Sequence, residues 1–172
     1  MFRDDSMAIL HSNLKRRTNR QLTQQAVDSM IQWINGKSAI DREFINTRVS
    51  SDQDGDLWVH LFKKPILRLA ANDGIVAAVS IFTGGVYDDY GNPTDLTRER
   101  LNGLLEALGF EGVIPIDVRV WADWEHQMCY LARRTEKIAL NEGYCTKVTI
   151  KASPDNFTVL DMDIVRITDR EN

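Results

Sequence analysis

Ile75-Val76-Ala77-Ala78-Val79-Ser80-Ile81-Phe82-Thr83-Gly84-Gly85, a polar loop, then Thr94-Asp95-Leu96-Thr97-Arg98-Glu99-Arg100-Leu101-Asn102-Gly103-Leu104-Leu105: this stretch decides the fold class. Its first part is the most apolar run of the chain and reads as a central strand. Its second part changes period. Leu101, Leu104, Leu105 and Leu108 recur at i, i+3, i+4 and i+7, which is one stripe of an α-helix. Thr94 or Asp95 is placed as its N-cap, because a short side-chain oxygen there accepts from an otherwise unpaired amide. Gly109 is placed to end it.

Upstream, the pattern is that of a meander. Phe44 to Ser51 reads as a strand, Asp54-Gly55-Asp56 as a turn, and Leu57 to Phe62 as a second strand. Lys63-Lys64-Pro65 interrupts, since proline cannot donate to a ladder and marks an edge or a bulge. Ile66 to Ala71 resumes, and Asn72-Asp73-Gly74 is a strong hairpin signal because these residues accept positive φ. Before all of this, Thr18-Asn19-Arg20-Gln21 forms a capping box. It opens a helix over 19–35 whose apolar face holds Leu22, Ala26, Met30 and Trp33.

Downstream, Ile114 to Trp121 alternates as a strand with Ile116, Val118 and Val120 on one face. Trp124 to Ala132 suits either a helix or a hairpin turning near Asp123–His126, and the hairpin is preferred. Tyr144 to Ala152 and Phe157 to Thr168 read as the last two strands. The fold class expected is α+β: an antiparallel sheet, a meander plus C-terminal strands, packed with two α-helices. Residues 1–13 have no periodicity and read as a flexible N-terminal arm, leaving 14–172 as a single domain.

The segment from about Arg48 to Leu131 resembles a group of small, uncharacterised bacteriophage-encoded proteins. The features that carry the resemblance are Gly84-Gly85 at a strand end, Thr94, and a helix opening Thr97-Arg98-Glu99-Arg100-Leu101-Asn102. The chain departs from that pattern by inserting Asp88-Asp89-Tyr90-Gly91-Asn92, by its N-terminal helix and by its two C-terminal strands. The resemblance implies a phage origin, the cytoplasm of an infected bacterial host and a small antiparallel domain. It carries no activity across.

Composition narrows the function. The 172 residues carry a net charge of -4, with 43% hydrophobic and 27% charged, so no global basic field draws in nucleic acid. Cys129 and Cys145 form neither a disulfide framework nor a metal-ligand spacing. No apolar run approaches the roughly 18 residues of a membrane span, so no membrane partner is expected. His11, His60 and His126 lie in different elements, and no nucleophile sits in a recognisable elbow. Asp88-Asp89, Asp161 and Asp163 lack ligand-loop spacing. No enzymatic activity, metal or cofactor is therefore expected, and the chain is expected to act by binding.

Four groups of residues are candidates for that binding. Lys15, Arg16, Arg17 and Arg20 form a basic run before the first helix, either a solvated arm or a contact for the phosphates of RNA or DNA. Trp58, His60 and Phe62 alternate on one face of a strand near Lys64 and Arg68. Left open, that face is a stacking platform for single-stranded bases; covered by a second layer, it is core. Arg98, Arg100 and Asn102 border the leucine stripe, either bridging helix to sheet or capturing an anion beside a helix start. Tyr87 and Tyr90 are candidates for contact with a host protein or a phage assembly. Single-stranded nucleic acid is the expected partner, and a host protein is the alternative.

Overall fold

The computed structural model describes residues 18–36, 39–82, 85–134 and 136–140 in full, and the backbone alone of 145–151 and 159–165. Helix α1 (Asn19–Ile34) precedes strands β1 (Asp41–Phe44), β2 (Thr47–Ser51), β3 (Leu57–Leu61), β4 (Lys64–Asn72) and β5 (Ile75–Phe82). Helix α2 (Asp95–Phe110) follows, then β6 (Arg119–Asp123), β7 (Met128–Arg133), β8 (Glu136–Leu140), β9 (Cys145–Lys151) and β10 (Val159–Val165). The class is α+β, as expected. Among the described residues the strands form two antiparallel sheets, one of seven in the order β1-β2-β3-β4-β5-β9-β10 and one of three in the order β6-β7-β8.

The period of 2 in the sequence sets which face is buried. Val49, Leu57, Val59, Leu61, Leu67, Leu69, Val79 and Ile81 share the inner face of the large sheet and are all buried. Ala26, Met30 and Trp33 of α1 and the four leucines of α2 join them in one apolar cluster, and Leu22 is buried beside it on α1. Val120, Cys129, Leu131 and Leu140 of the small sheet join the same apolar cluster. The expected capping box starts α1: the Gln21 amide donates to Thr18 Oγ1 at 3.1 Å, and the Thr18 amide to Gln21 Oε1 at 2.9 Å.

Close approach of the helices depends on Gly103. A Cβ there would lie 2.2 Å from Thr23 Cγ2, so only a residue without a side chain lets α2 lie this near α1. The gap beside it is filled by Arg100, which is wholly buried and donates through Nε to Thr23 Oγ1 at 2.8 Å. Its remaining nitrogens donate to Thr47 Oγ1, Asn46 Oδ1 and Asn19 Oδ1. Burial without a carboxylate contact pushes its pKa down to about 10, while Glu99 pulls the other way.

Several boundaries differ from the sequence expectation. Phe44 to Ser51 is not one strand: Ile45-Asn46 turns the chain, and Phe44 ends β1 opposite Thr47. No glycine or proline marks that turn, which is why the pattern hides it. Pro65 lies inside β4, opposite a register shift at Val59/His60, so the expected bulge is present; the turn falls earlier, at Phe62-Lys63. Gly109 does not end α2. Its Cα faces Ile116, whose own Cα would lie 2.8 Å from an added Cβ, and the helix runs on to Phe110 with Gly112 at φ 75° beyond its cap. The strand expected from Ile114 starts only at Arg119, and Ile116 is 60% exposed. Trp124 to Gln127 connects β6 to β7 as a hairpin. Strand β8 had no counterpart in the sequence reading.

Candidate functional site

Two sheet faces carry tryptophan, and they are built differently. On the outer face of the large sheet, Ser50, Trp58, Arg68 and Ser80 stand in one row across β2 to β5. Trp58 is committed on every side. Its Nε1 donates to Asp52 Oδ2 at 2.8 Å, its ring stacks on Phe82 at 5.5 Å and 20°, and it lies 6.0 Å from His60. The Arg68 guanidinium covers it at 4.8 Å. Arg68 is in turn held by Asp56, which also accepts from the Ala71 amide at 3.1 Å. Burial raises the Asp52 carboxyl, but the bonds from Trp58 Nε1 and from the amides of Asp56 and Asp54 outweigh it and hold the group below the ordinary carboxylate range.

This arrangement corrects the expected stacking platform. Phe62 does not continue the strand row of Trp58 and His60, because β3 ends at Leu61 and Phe62 sits in a turn at φ 51°, where it borders the hollow above that face. Of the cations nearby, Arg68 pairs with Asp56 and Arg48 forms a two-pronged pair with Asp41, while Lys63 and Lys64 have no ion-pair partner among the described residues. The hollow above this face, about 950 Å³, sets Glu43, Asp52 and Asp54 against Arg48, Lys63 and Arg68. Equal numbers of each sign give a phosphate chain no net attraction.

The outer face of the small sheet is open. In the ladder, Trp121 lies opposite Tyr130 and Tyr130 opposite Ala139; one step along, Arg119 lies opposite Ala132 and Ala132 opposite Lys137. Alternation sends Val120, Cys129, Leu131 and Leu140 inward and these residues outward. Trp121 is 59% exposed, and Trp124, at the head of the β6–β7 turn, is 55% exposed. Lys137 Nζ sits 4.7 Å over the Tyr130 ring, and the Arg98 guanidinium 5.4 Å from the Trp124 ring. Arg119, Trp121, Trp124, Tyr130 and Lys137, with Arg134, the small Ala132 and the carboxylates Asp117 and Asp123, bound a hollow of about 770 Å³.

Electrostatics favours an anion here. Asp117 accepts from Arg133 at 2.9 Å and Arg134 at 3.1 Å. Partial desolvation raises its carboxyl, but the two arginines outweigh this and hold it low, so it stays ionised and matched. Asp123 is bonded to His126 at 2.8 Å. Arg119 and Lys137 have no ion-pair partner among the described residues.

The remaining sequence candidates fall as follows. Lys15, Arg16 and Arg17 lie outside the described residues, and Arg20 is exposed in the first turn of α1. Arg100 bridges α1, α2 and β2. Asn102 bridges α2 to the edge of the small sheet, donating to the Val120 carbonyl at 3.0 Å and accepting its amide at 2.7 Å, as a neighbouring strand would. Arg98 pairs with Asp95. Thr94 is the N-cap residue of α2, as expected, but its hydroxyl donates to the Gly85 carbonyl rather than accepting a helix amide.

Tyr87 cannot meet a partner. It is buried, its hydroxyl donates to the Leu140 carbonyl and accepts the Cys129 amide at 2.8 Å, and so it clasps the small sheet to the loop before α2. Tyr90 is 90% exposed, at the tip of a loop whose amides Asp88 gathers. Cys129 is buried, which pushes its thiol upward. Among the described residues no three of His, Cys, Asp and Glu come together as metal ligands.

The sequence reading missed Trp121, Tyr130, Arg119 and Lys137 as a group. Alternation already put Arg119 and Trp121 on the face opposite Val118 and Val120, but Tyr130 and Lys137 join them only through the pairing of β6, β7 and β8. Comparison of the chain with protein-family models, with curated proteins and with solved structures finds no match.

Proposed function

We propose that the chain acts by binding, without turnover, and that its ligand is single-stranded nucleic acid held on the outer face of β6–β8. The observation that carries this reading is the exposed Trp121 in direct register with the half-buried Tyr130, whose ring Lys137 overlies, with the exposed Trp124 and Arg119 beside them. Bases stack on exposed rings irrespective of sequence, and the cations meet the phosphates between them. A single strand suits the site, since a duplex keeps its bases stacked on each other. The resemblance to phage-encoded proteins supports the cytoplasm of an infected bacterium as the proposed setting for this activity.

Fluorescence anisotropy with labelled single-stranded RNA and DNA at two salt concentrations tests it. Micromolar binding that weakens with salt, and weakens again in Trp121→Ala, supports the proposal; salt-insensitive or absent binding removes it.

A second reading, contact with a host protein or a phage assembly, draws on Tyr90 alone, which projects from a loop whose Tyr90 and Asn92 amides donate to Asp88. A partner retained after nuclease treatment and lost in Tyr90→Ala favours it.

A further inference from the structure

Two apolar side chains stand exposed at turns that disfavour them. The β3–β4 and β4–β5 turns share one backbone design, two residues both at positive φ: 51° and 66° at Phe62-Lys63, 53° and 76° at Asp73-Gly74. Asp-Gly is what that geometry selects, and Phe-Lys is not. The adjacent β1–β2 turn holds Ile45 at φ 45°, a β-branched residue where glycine is usual. Ile45 and Phe62 are each 62% exposed, so packing does not offset the backbone strain.

The two turns are bonded to each other. The Phe62 amide donates to the Asn46 carbonyl at 2.8 Å. Beneath them the buried Arg100 donates to the side chains of Asn46 and Thr47, and ties both to Asn19 at the start of α1. Unfavourable residues held in place by surrounding structure, with no gain in packing, mark a surface kept for contact.

Charge selects the contact. Lys63 and Lys64 follow Phe62 directly, and Arg20 adjoins Asn19; none has an ion-pair partner among the described residues. Of the neighbouring carboxylates, Asp41 holds Arg48 in a two-pronged pair, Glu43 stands opposite Arg48 in the ladder, and Glu99 accepts from the Asn19 side-chain amide at 2.7 Å. An isoleucine offers a nucleic acid no ring to stack on. An exposed aliphatic and aromatic pair at the border of the large-sheet hollow, beside cations without an ion-pair partner among the described residues, matches a bilayer with anionic headgroups: the two side chains enter the acyl boundary while the lysines stay at phosphate level.

We propose that Ile45 and Phe62, with Lys63, Lys64 and Arg20, dock this end of the molecule peripherally on an anionic lipid surface. The contact is distinct from a membrane span, for which no described helix is long and apolar enough.

Sedimentation of the full chain with vesicles of phosphatidylcholine, alone or mixed with phosphatidylglycerol, tests it. The chain pellets with the mixed vesicles, remains in solution with the neutral ones, and is released by salt. Ile45→Gly and Phe62→Asn, residues that accept the turn geometry, each weaken partitioning about tenfold while leaving the melting temperature unchanged or higher. Trp121→Ala partitions as the parent does. Failure to pellet, pelleting that ignores lipid charge, or variants that bind as the parent does overturn the proposal. A lower melting temperature in both turn variants also overturns it, because it shows that the two side chains serve the fold.

Discussion

Trp58 and Trp121 occupy the same kind of position, an outward-facing residue in an antiparallel strand, yet one is closed and the other open. The difference lies in their cross-strand neighbours. Trp58 faces Arg68, which covers its ring and is anchored by Asp56, while Asp52 takes its indole N–H and Phe82 stacks on it. Trp121 faces Tyr130 and then Ala139, so no long side chain across the ladder covers it. An aromatic residue on a sheet face is packing or recognition according to residues one and two strands away. Those residues are distant in sequence.

The sharpest break of this comparison is a pair of substitutions. Trp58→Ala removes a half-buried ring and the donor to Asp52 Oδ2, and should cost about 3 kcal/mol in urea denaturation. It should leave nucleic-acid affinity within twofold, measured where the variant is folded. Trp121→Ala should do the reverse, with stability changed by less than about 0.5 kcal/mol and affinity lowered about tenfold through one lost stacking contact. If both variants lose affinity equally, the two faces form one site and the distinction between them fails.

The same contrast shows what could be read from residues alone. The leucine stripe of α2, the Thr18–Gln21 box and the Asp73-Gly74 hairpin were legible because each is a local pattern with a local cause. The Phe62-Lys63 turn was not, because its residues contradict its geometry. Neither was the role of Asn102, whose spacing places it beside the stripe but cannot show that its amide pairs with Val120. Tyr87 and Tyr90 lie three residues apart in one loop and look equivalent; one is a buried clasp and the other fully displayed. The candidate nucleic-acid face is a product of ladder register, and β8, with its helix-favouring Glu136-Lys137-Ile138-Ala139-Leu140, gave little sign of being part of it.

Acid should sharpen the comparison from the closed side. Asp52 is held below the ordinary carboxylate range in the fold, so the unfolded chain takes up its proton at higher pH than the folded one. Its stabilising contribution is complete above the unfolded value near 4 and is lost as pH falls through the folded value. Asp52→Asn should therefore melt lower than the parent at pH 7, with the gap closing as the pH is taken below 4. A gap that persists at low pH would mean that shape, not charge, holds Trp58.

The smallest expected effect probes the open side. Arg119 is exposed, lacks an ion-pair partner among the described residues, and lies beside the Trp121–Tyr130 pair without touching the core. Arg119→Ala should weaken binding severalfold on every single strand and reduce the slope of log affinity against log salt by about 0.7, the value of one phosphate contact to a single strand. Its companion, Arg48→Ala, removes a cation already matched by Asp41 on the closed face and should leave that slope unchanged. Equal slopes in both variants would show that only net charge matters. Unequal slopes would locate the strand along β6, because a cation already satisfied within the fold releases no counterion when a phosphate arrives.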